Sequence, residues 1–111
     1  MFQIALALAL AQPAPIQVMG AGTLSCGSYS ETKEKPMARG VFFQWLMGFL
    51  SGYNINNKEQ IPDITAPTDN DGMTAWLDNY CAANPLLPFA TAAEALTDAL
   101  KSELRRRQNS N

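Results

Sequence analysis

The sequence predicts a small all-α protein, a three- to four-helix bundle with one disulfide. Three segments repeat apolar residues at spacings of three and four, the period of an amphipathic helix. No stretch sustains the alternation of apolar and polar residues that is typical of a β-strand. The chain has 111 residues, of which 47% are hydrophobic, enough for one packed domain.

The N-terminus has the pattern of a signal peptide over residues 1–11. An apolar block, Ile4 to Ala11, ends in the small-x-small sequence that signal peptidase accepts. A signal peptide usually has Lys or Arg before this block, and here there is none, so we expect either a start farther upstream or an atypical signal. A buried N-terminal helix is the alternative. The block is too short to cross a membrane as a helix. Residues 12–23 contain two prolines and two glycines and predict a flexible leader.

Export predicts that the two cysteines, Cys26 and Cys81, form a disulfide, because thiols oxidise in secretory compartments. Closing a loop of this length stabilises a fold by about 4 kcal/mol through the entropy of the unfolded chain. A reactive thiol is the alternative, but no cationic residue stands beside Cys81 in the sequence to favour it. We therefore expect a periplasmic protein braced by this bridge.

Composition argues against several functional classes. The chain has no histidine, which removes the commonest general base and zinc ligand, and two cysteines alone cannot form a structural zinc site. The net charge is −2 with both signs spread along the chain, so nothing favours a nucleic-acid partner. We expect neither catalytic residues nor a cofactor, and the partner should be another protein.

The first predicted helix covers about residues 37–53, and Pro36 fits its start. Its apolar stripe consists of Val41, Phe42, Trp45, Leu46, Phe49 and Tyr53. Gly48 and Gly52 lie one turn apart in its interior, where each glycine costs about 1 kcal/mol, so we expect another helix to pack closely against them in the core. The alternative is a seam in a homodimer.

A polar loop over residues 54–70 follows, long enough to be Ω-like or to contain a short helix. The second predicted helix has Asp71 as its N-cap. Its apolar face consists of Met73, Trp76, Leu77, Tyr80 and Cys81, so the disulfide leaves from the buried side. The acidic stretch at 69–72 does not fit an EF-hand, because Pro67 stands where the first calcium ligand would be needed.

The third predicted helix begins either at Asn84–Pro85 or at a capping box, Thr91 to Glu94, and runs toward the C-terminus. A single helical domain would therefore cover residues 24–108, with a disordered tail at 109–111. We expect four aromatic side chains to meet in its core: Trp45, Phe49, Trp76 and Tyr80.

The cysteines belong to a longer pattern of aromatic residues and glycines. It reads Cys26, then Trp45-x-x-Gly48 and Ser51-Gly52-Tyr53, then Trp76-Leu77-Asp78-Asn79-Tyr80-Cys81-x-x-Asn84-Pro85. This pattern, over about residues 26–100, resembles the HdeA/HdeB family of small exported proteins. The resemblance implies a helical periplasmic protein with one disulfide. The best-known members of that family are acid-activated chaperones, which implies unfolded proteins as clients.

A second similarity rests on Gly48, Gly52, Tyr80, Pro85 and the closing Ala99–Leu100 pair. These residues echo the small exported immunity proteins that neutralise cell-wall amidases delivered by type VI secretion. Two functions are therefore expected from resemblance. One is an acid-stress chaperone, and the other is an immunity protein that binds a single toxin.

Overall fold

Four α-helices and a short 3-10 helix form the fold in the computed structural model, which describes residues 14–110. The α-helices are α1 (Cys26–Ser30), α2 (Pro36–Asn56), α3 (Asn70–Ala83) and α4 (Phe89–Asn109), and the 3-10 helix covers Gly20–Thr23. Within these residues the only extended pairing is a single bridge between Ser25 and Pro88. The predicted all-α class is confirmed, whereas the predicted signal peptide lies outside the described residues.

The residues at which α2 and α3 begin are decided by a proline and by a capping hydrogen bond, which the spacing of apolar residues does not reveal. Pro36 opens α2 in its first turn, as predicted, where a missing N–H costs nothing. The N-cap of α3 is Asp69 rather than Asp71, because the Asp69 carboxylate accepts a 2.8 Å hydrogen bond from the N–H of Gly72. The predicted cap was therefore wrong by two residues, and Asp71 lies in the first turn.

The start of α4 at Phe89 follows from pairing with the N-terminal segment. The N–H of Cys26 donates to the carbonyl of Leu87, and the N–H of Phe89 donates to the carbonyl of Leu24, both at 2.7 Å. Because residues 85–88 are held extended or in turns by these contacts, both predicted starts of the third helix were wrong. The helix runs to Asn109, so the predicted disordered tail is also wrong at that residue.

The segment before α1 packs against α2 instead of forming a flexible leader. Nε1–H of Trp45 donates a 2.7 Å hydrogen bond to the carbonyl of Met19. Ala21 and Gly22 are buried, and a Cβ on Gly22 would collide with the indole ring of Trp45. Glycine composition suggested flexibility here, but at Gly22 the missing side chain is what admits the tryptophan. The leader prediction was wrong for Gly20–Thr23.

The disulfide between Cys26 and Cys81 joins α1 to α3, as predicted. Both cysteines are fully buried, and their Cα atoms lie 4.7 Å apart. The bridge therefore leaves from the buried face of α3 and fastens the N-terminal part of the fold to its middle.

Three aromatic rings form the centre of the core: Tyr29 of α1, Phe42 of α2 and Phe89 of α4. Their centroids lie 4.9–5.4 Å apart, and the Phe42 ring meets each of the other two nearly edge to face. Tyr29, Phe42 and Phe89 are all buried, and Phe89 is only 1% exposed. Three helices thus meet at one aromatic cluster.

The four aromatic side chains predicted to meet in the core form two separate stacks at its edge. Trp45 stacks on Phe49, and Trp76 stacks on Tyr80, with centroids 5.4 and 5.3 Å apart. All four are partly buried, whereas Leu77 beside the second stack is fully buried. The prediction was wrong because periodicity identifies the inward face of a helix but not which of its residues reach the centre.

The loop over residues 57–69 contains turns rather than the short helix considered from the sequence. Ile64 is its buried anchor, and the N–H of Ile64 donates to Oδ1 of Asn54 at 2.8 Å. Asn57 fastens the start of the loop, because its side chain both donates to and accepts from the backbone of Ile61. Side-chain amides thus fix a segment that has no regular structure.

Candidate functional site

The glycines of the predicted motif lie on the outer face of α2. A Cβ built on Gly48 or Gly52 would meet no atom within 4 Å among the described residues. The buried residues of the helix are Phe42, Leu46 and Leu50, on the opposite side of the wheel from Gly48. The prediction that a helix packs on these glycines in the core was therefore wrong, and the homodimer seam remains a prediction.

The Asn84–Pro85 part of the motif ends α3 and starts the pairing with the N-terminal segment. The side-chain amide of Asn84 donates to the carbonyl of Tyr80 at 2.9 Å and so satisfies one of the last carbonyls of the helix. The carbonyl of Pro85 accepts from the N–H of Gly27 at 2.9 Å. These residues position the chain around the disulfide, and their role is structural.

An ion pair joins α2 to α3. The guanidinium of Arg39 binds the carboxylate of Asp78 through two parallel hydrogen bonds, 2.8 and 3.2 Å long. Nε–H of Arg39 donates to Oγ1 of Thr32 at 3.2 Å, and the guanidinium lies 4.6 Å from the ring centroid of Tyr29. We call these four residues, Tyr29, Thr32, Arg39 and Asp78, the Arg39 clasp.

The clasp is partly shielded from water. The side chains of Arg39 and Asp78 are 20% and 21% exposed, so their attraction is screened less than that of a surface pair. The hydrogen bond to Asp78 raises the pKa of Arg39. Removing either partner would leave the other charge in a partly buried place, which is strongly destabilising. The contact between α2 and α3 at this point therefore depends on one ionised carboxylate.

Tyr29 predicts a loss of stability in alkaline solution. Burial of the phenol, with the negative charge of Asp78 nearby, raises the pKa of Tyr29 to about 12. This value exceeds the ordinary tyrosine pKa of about 10, so the folded protein holds the phenol proton more tightly than the unfolded chain does. The contribution of the protonated phenol to the free energy of unfolding is therefore complete below pH 10 and is lost as the pH rises to about 12. We expect the free energy of unfolding, measured by urea titration, to fall over that window. An equal fall in a Tyr29→Phe variant would contradict this assignment.

A second carboxylate fastens the long loop to α4. Oε1 of Glu59 lies 3.0 Å from Nζ of Lys101, and Oε2 lies 3.2 Å from Nη2 of Arg105. The hydrogen bond from Lys101 lowers the pKa of Glu59. This contribution is therefore present above the ordinary pKa of a glutamate and is lost as the pH falls through the lowered value. Tyr53 of the motif is half-buried beside this pair, with the Lys101 ammonium 5.8 Å from its ring centroid.

Arg39 is the only charged residue of α2, and it points into the clasp. The opposite side of the helix carries no charge along its whole length. We call this side the α2 outer face: Met37, Val41, Gln44, Gly48, Gly52 and Ile55. Met37, Val41 and Ile55 are 89%, 61% and 80% exposed. The exposed side of α4, in contrast, carries Glu94 and Asp98, as is usual for a helix that faces water.

Within residues 14–110 no three His, Cys, Asp or Glu side chains are grouped so that they could hold a metal ion. Over the same residues, none of the helices combines the length and the apolar character that a membrane span requires. Arg39 was not singled out from the sequence, although its position as the one charge in an apolar helix was the available signal.

Comparison with protein-family models, with curated proteins and with solved structures finds no match to this chain.

Proposed function

We propose that the protein is an exported chaperone of the periplasm, which binds unfolded proteins after acid separates α2 from the rest of the fold. The observation that carries this proposal is the Arg39 clasp, in which α2 is held to α3 through a single carboxylate. The disulfide is consistent with export, because such bridges persist in oxidising compartments. The sequence resemblance to acid-activated chaperones points in the same direction.

Acid removes the attraction within ion pairs and leaves repulsion between the positively charged side chains. In strong acid carboxylates as a class become protonated, so the ion pairs of the fold, Arg39–Asp78 and Lys101–Glu59, are weakened. The second pair persists to a lower pH than an ordinary glutamate would allow, because Lys101 lowers the pKa of Glu59. The eight Lys and Arg side chains keep their positive charges, and a chain with a large net charge repels itself. The folded state is therefore weakened at the contacts between α2 and α3 and between the long loop and α4.

The covalent bridge decides which part opens. The Cys26–Cys81 disulfide holds α1 to α3 in neutral and in acid solution, whereas α2 has no covalent link to either helix apart from the chain itself. We expect α2 to swing outward and to present its inner side, including Phe42 and Leu46, to clients. An apolar surface exposed only in acid would bind proteins that unfold under the same conditions.

Light scattering tests this proposal with the oxidised full chain and an enzyme that aggregates after acid unfolding. We expect the protein to suppress scattering at about pH 3 and to have little effect at pH 7. If scattering is not suppressed at about pH 3, with the disulfide confirmed by mass, the result would contradict the proposal and favour the toxin-binding alternative. That alternative predicts a toxin gene beside this one and a fold that keeps its shape in acid.

A pair of aspartate variants separates the clasp from general acid effects. Asp78→Asn removes the charge that holds Arg39, so it should open the fold and start client binding at a higher pH than in the wild type. Asp98→Asn changes an exposed aspartate of α4 and should leave the onset unchanged. The same shift in both variants would show that the clasp has no particular part in opening.

A further inference from the structure

We propose that one end of the folded protein is a surface that rests on a bilayer of zwitterionic phospholipid. The surface consists of apolar side chains from the N-terminal segment and from the turn before α4: Ile16, Val18, Leu24, Leu86 and Leu87. We call it the apolar end. The inference concerns the folded protein near neutral pH, so it goes beyond the chaperone proposal and does not depend on it.

Contacts between two segments of the chain bring the members of the apolar end together. Ser25 and Pro88 form an antiparallel bridge, which places the three leucines on neighbouring stretches of backbone. Ile16 and Val18 line a groove of about 330 Å³ together with Pro88. Because Pro88 takes part in both the bridge and the groove, the five side chains form one connected surface.

The apolar end is exposed and belongs to uncharged parts of the chain. Ile16 and Leu86 are each 93% exposed, and the other three side chains are 37–47% exposed. Residues 12–30 and 79–93, which contain the whole surface, include no charged side chain, although the chain has eight basic and ten acidic residues. A connected apolar surface of this kind marks a contact with another molecule or with a membrane.

The sequence that leads into this surface favours a membrane as the partner. The apolar block Ile4 to Ala11 contains eight residues and no charge, and Ile16 lies only five positions after Ala11. Five positions of extended chain reach at most about 18 Å, so the block and the apolar end are close enough to contact the same bilayer face. Two weak apolar contacts joined by a short linker bind lipid more tightly than either does alone.

The position of the charges fits a zwitterionic lipid surface. The arginine run that begins at Arg105 lies about 24 Å along α4 from Phe89, where the helix leaves the apolar end. The uncharged stretches contain no lysine or arginine that would select an anionic lipid. Glu94 stands at the edge of the groove, where its carboxylate would meet the ammonium groups of zwitterionic headgroups. The apolar end belongs to the folded domain, so it stays after the predicted signal peptide is removed.

Flotation of the oxidised full chain with phosphatidylcholine vesicles at neutral pH tests the surface, and we expect the protein to float with the vesicles. Leu86→Asp should weaken binding about tenfold or more, because a charge replaces a side chain that enters the lipid. The matched control is Ile55→Asp, a similar change at an 80% exposed position of the α2 outer face, and it should leave binding unchanged. Since both positions are exposed, circular dichroism should show the wild-type helix content in each variant.

Leu8→Asp separates the apolar block from the folded surface. This variant should still bind vesicles, more weakly than the wild type, and the addition of Leu86→Asp should lower its binding further. A wild-type chain that does not float would overturn the lipid contact and leave a protein as the partner of the surface. Equal binding by Leu86→Asp and the wild type would also overturn it, because the block alone would then hold the chain to the vesicles. Equal losses in Leu86→Asp and Ile55→Asp would do the same, since lipid would then show no preference for the apolar end.

Discussion

The double variant Cys26→Ala/Cys81→Ala is expected to lose about 4 kcal/mol of unfolding free energy, because the bridge closes a loop of more than fifty residues in the unfolded chain. Small domains have only about 5–15 kcal/mol in total. The variant should therefore be partly unfolded at 37 °C. Urea unfolding, followed by circular dichroism, measures the loss.

Reduction of the wild-type protein is the control for this prediction. A thiol reagent should bring the urea midpoint of the wild type down to that of the double variant and should leave the variant unchanged. A loss below about 1 kcal/mol would contradict the view that the bridge is a main source of stability. It would mean that backbone pairing of Cys26 with Leu87 holds α1 in place without the covalent link.

Phe89→Ala is expected to cost about 3–5 kcal/mol, the usual range for removing a buried phenylalanine. The ring is 1% exposed and contacts Tyr29, Phe42 and Trp45, with centroids 4.9–5.9 Å away. Its removal leaves a cavity where α1, α2 and α4 meet, and α1 and α2 are held in place beside it by the disulfide and by the clasp. Chemical unfolding of the oxidised protein checks the value.

Phe49→Ala is the matched control, because the same side chain is removed from the edge of the core. Phe49 is half-buried and stacks on Trp45, so part of the space it leaves would be filled by water. We expect a loss clearly smaller than for Phe89→Ala. The reverse order would show that the Trp45–Phe49 stack is the true centre of the core, as the sequence alone suggested.

Helix positions were predictable because apolar side chains recur along them with the helical period. The first helix was predicted over residues 37–53 and covers Pro36–Asn56, and the second helix was placed within two residues of its start. The cap of α3 was not predictable, since Asp69 and Asp71 precede the same apolar run and only the backbone geometry decides which carboxylate reaches Gly72. Local patterns thus locate helices but not the contacts at their ends.

The disulfide was predictable because only one pairing of two cysteines exists. The Arg39 clasp was not, since Arg39 and Asp78 lie 39 positions apart and no local pattern connects them. The packing of Gly22 against Trp45 was not predictable either, because no local pattern connects the two residues. A glycine that admits a distant ring cannot be distinguished, in one sequence, from a glycine that loosens a linker.

The hydrogen bond from Trp45 to Met19 also sets a boundary for proteolytic processing. Residues 14–18 are exposed, and a protease could bind them in extended form, whereas the carbonyl of Met19 is bonded to Trp45 of α2. A cut before Met19 would leave the hydrogen bond of Trp45 to Met19 and the packing of Gly22 against the indole in place. A cut after Gly22 would expose the indole of Trp45 and remove the acceptor of its N–H. We therefore expect the folded domain to keep its stability when it is trimmed from its N-terminal side up to Met19, and to lose stability when the cut falls after Gly22.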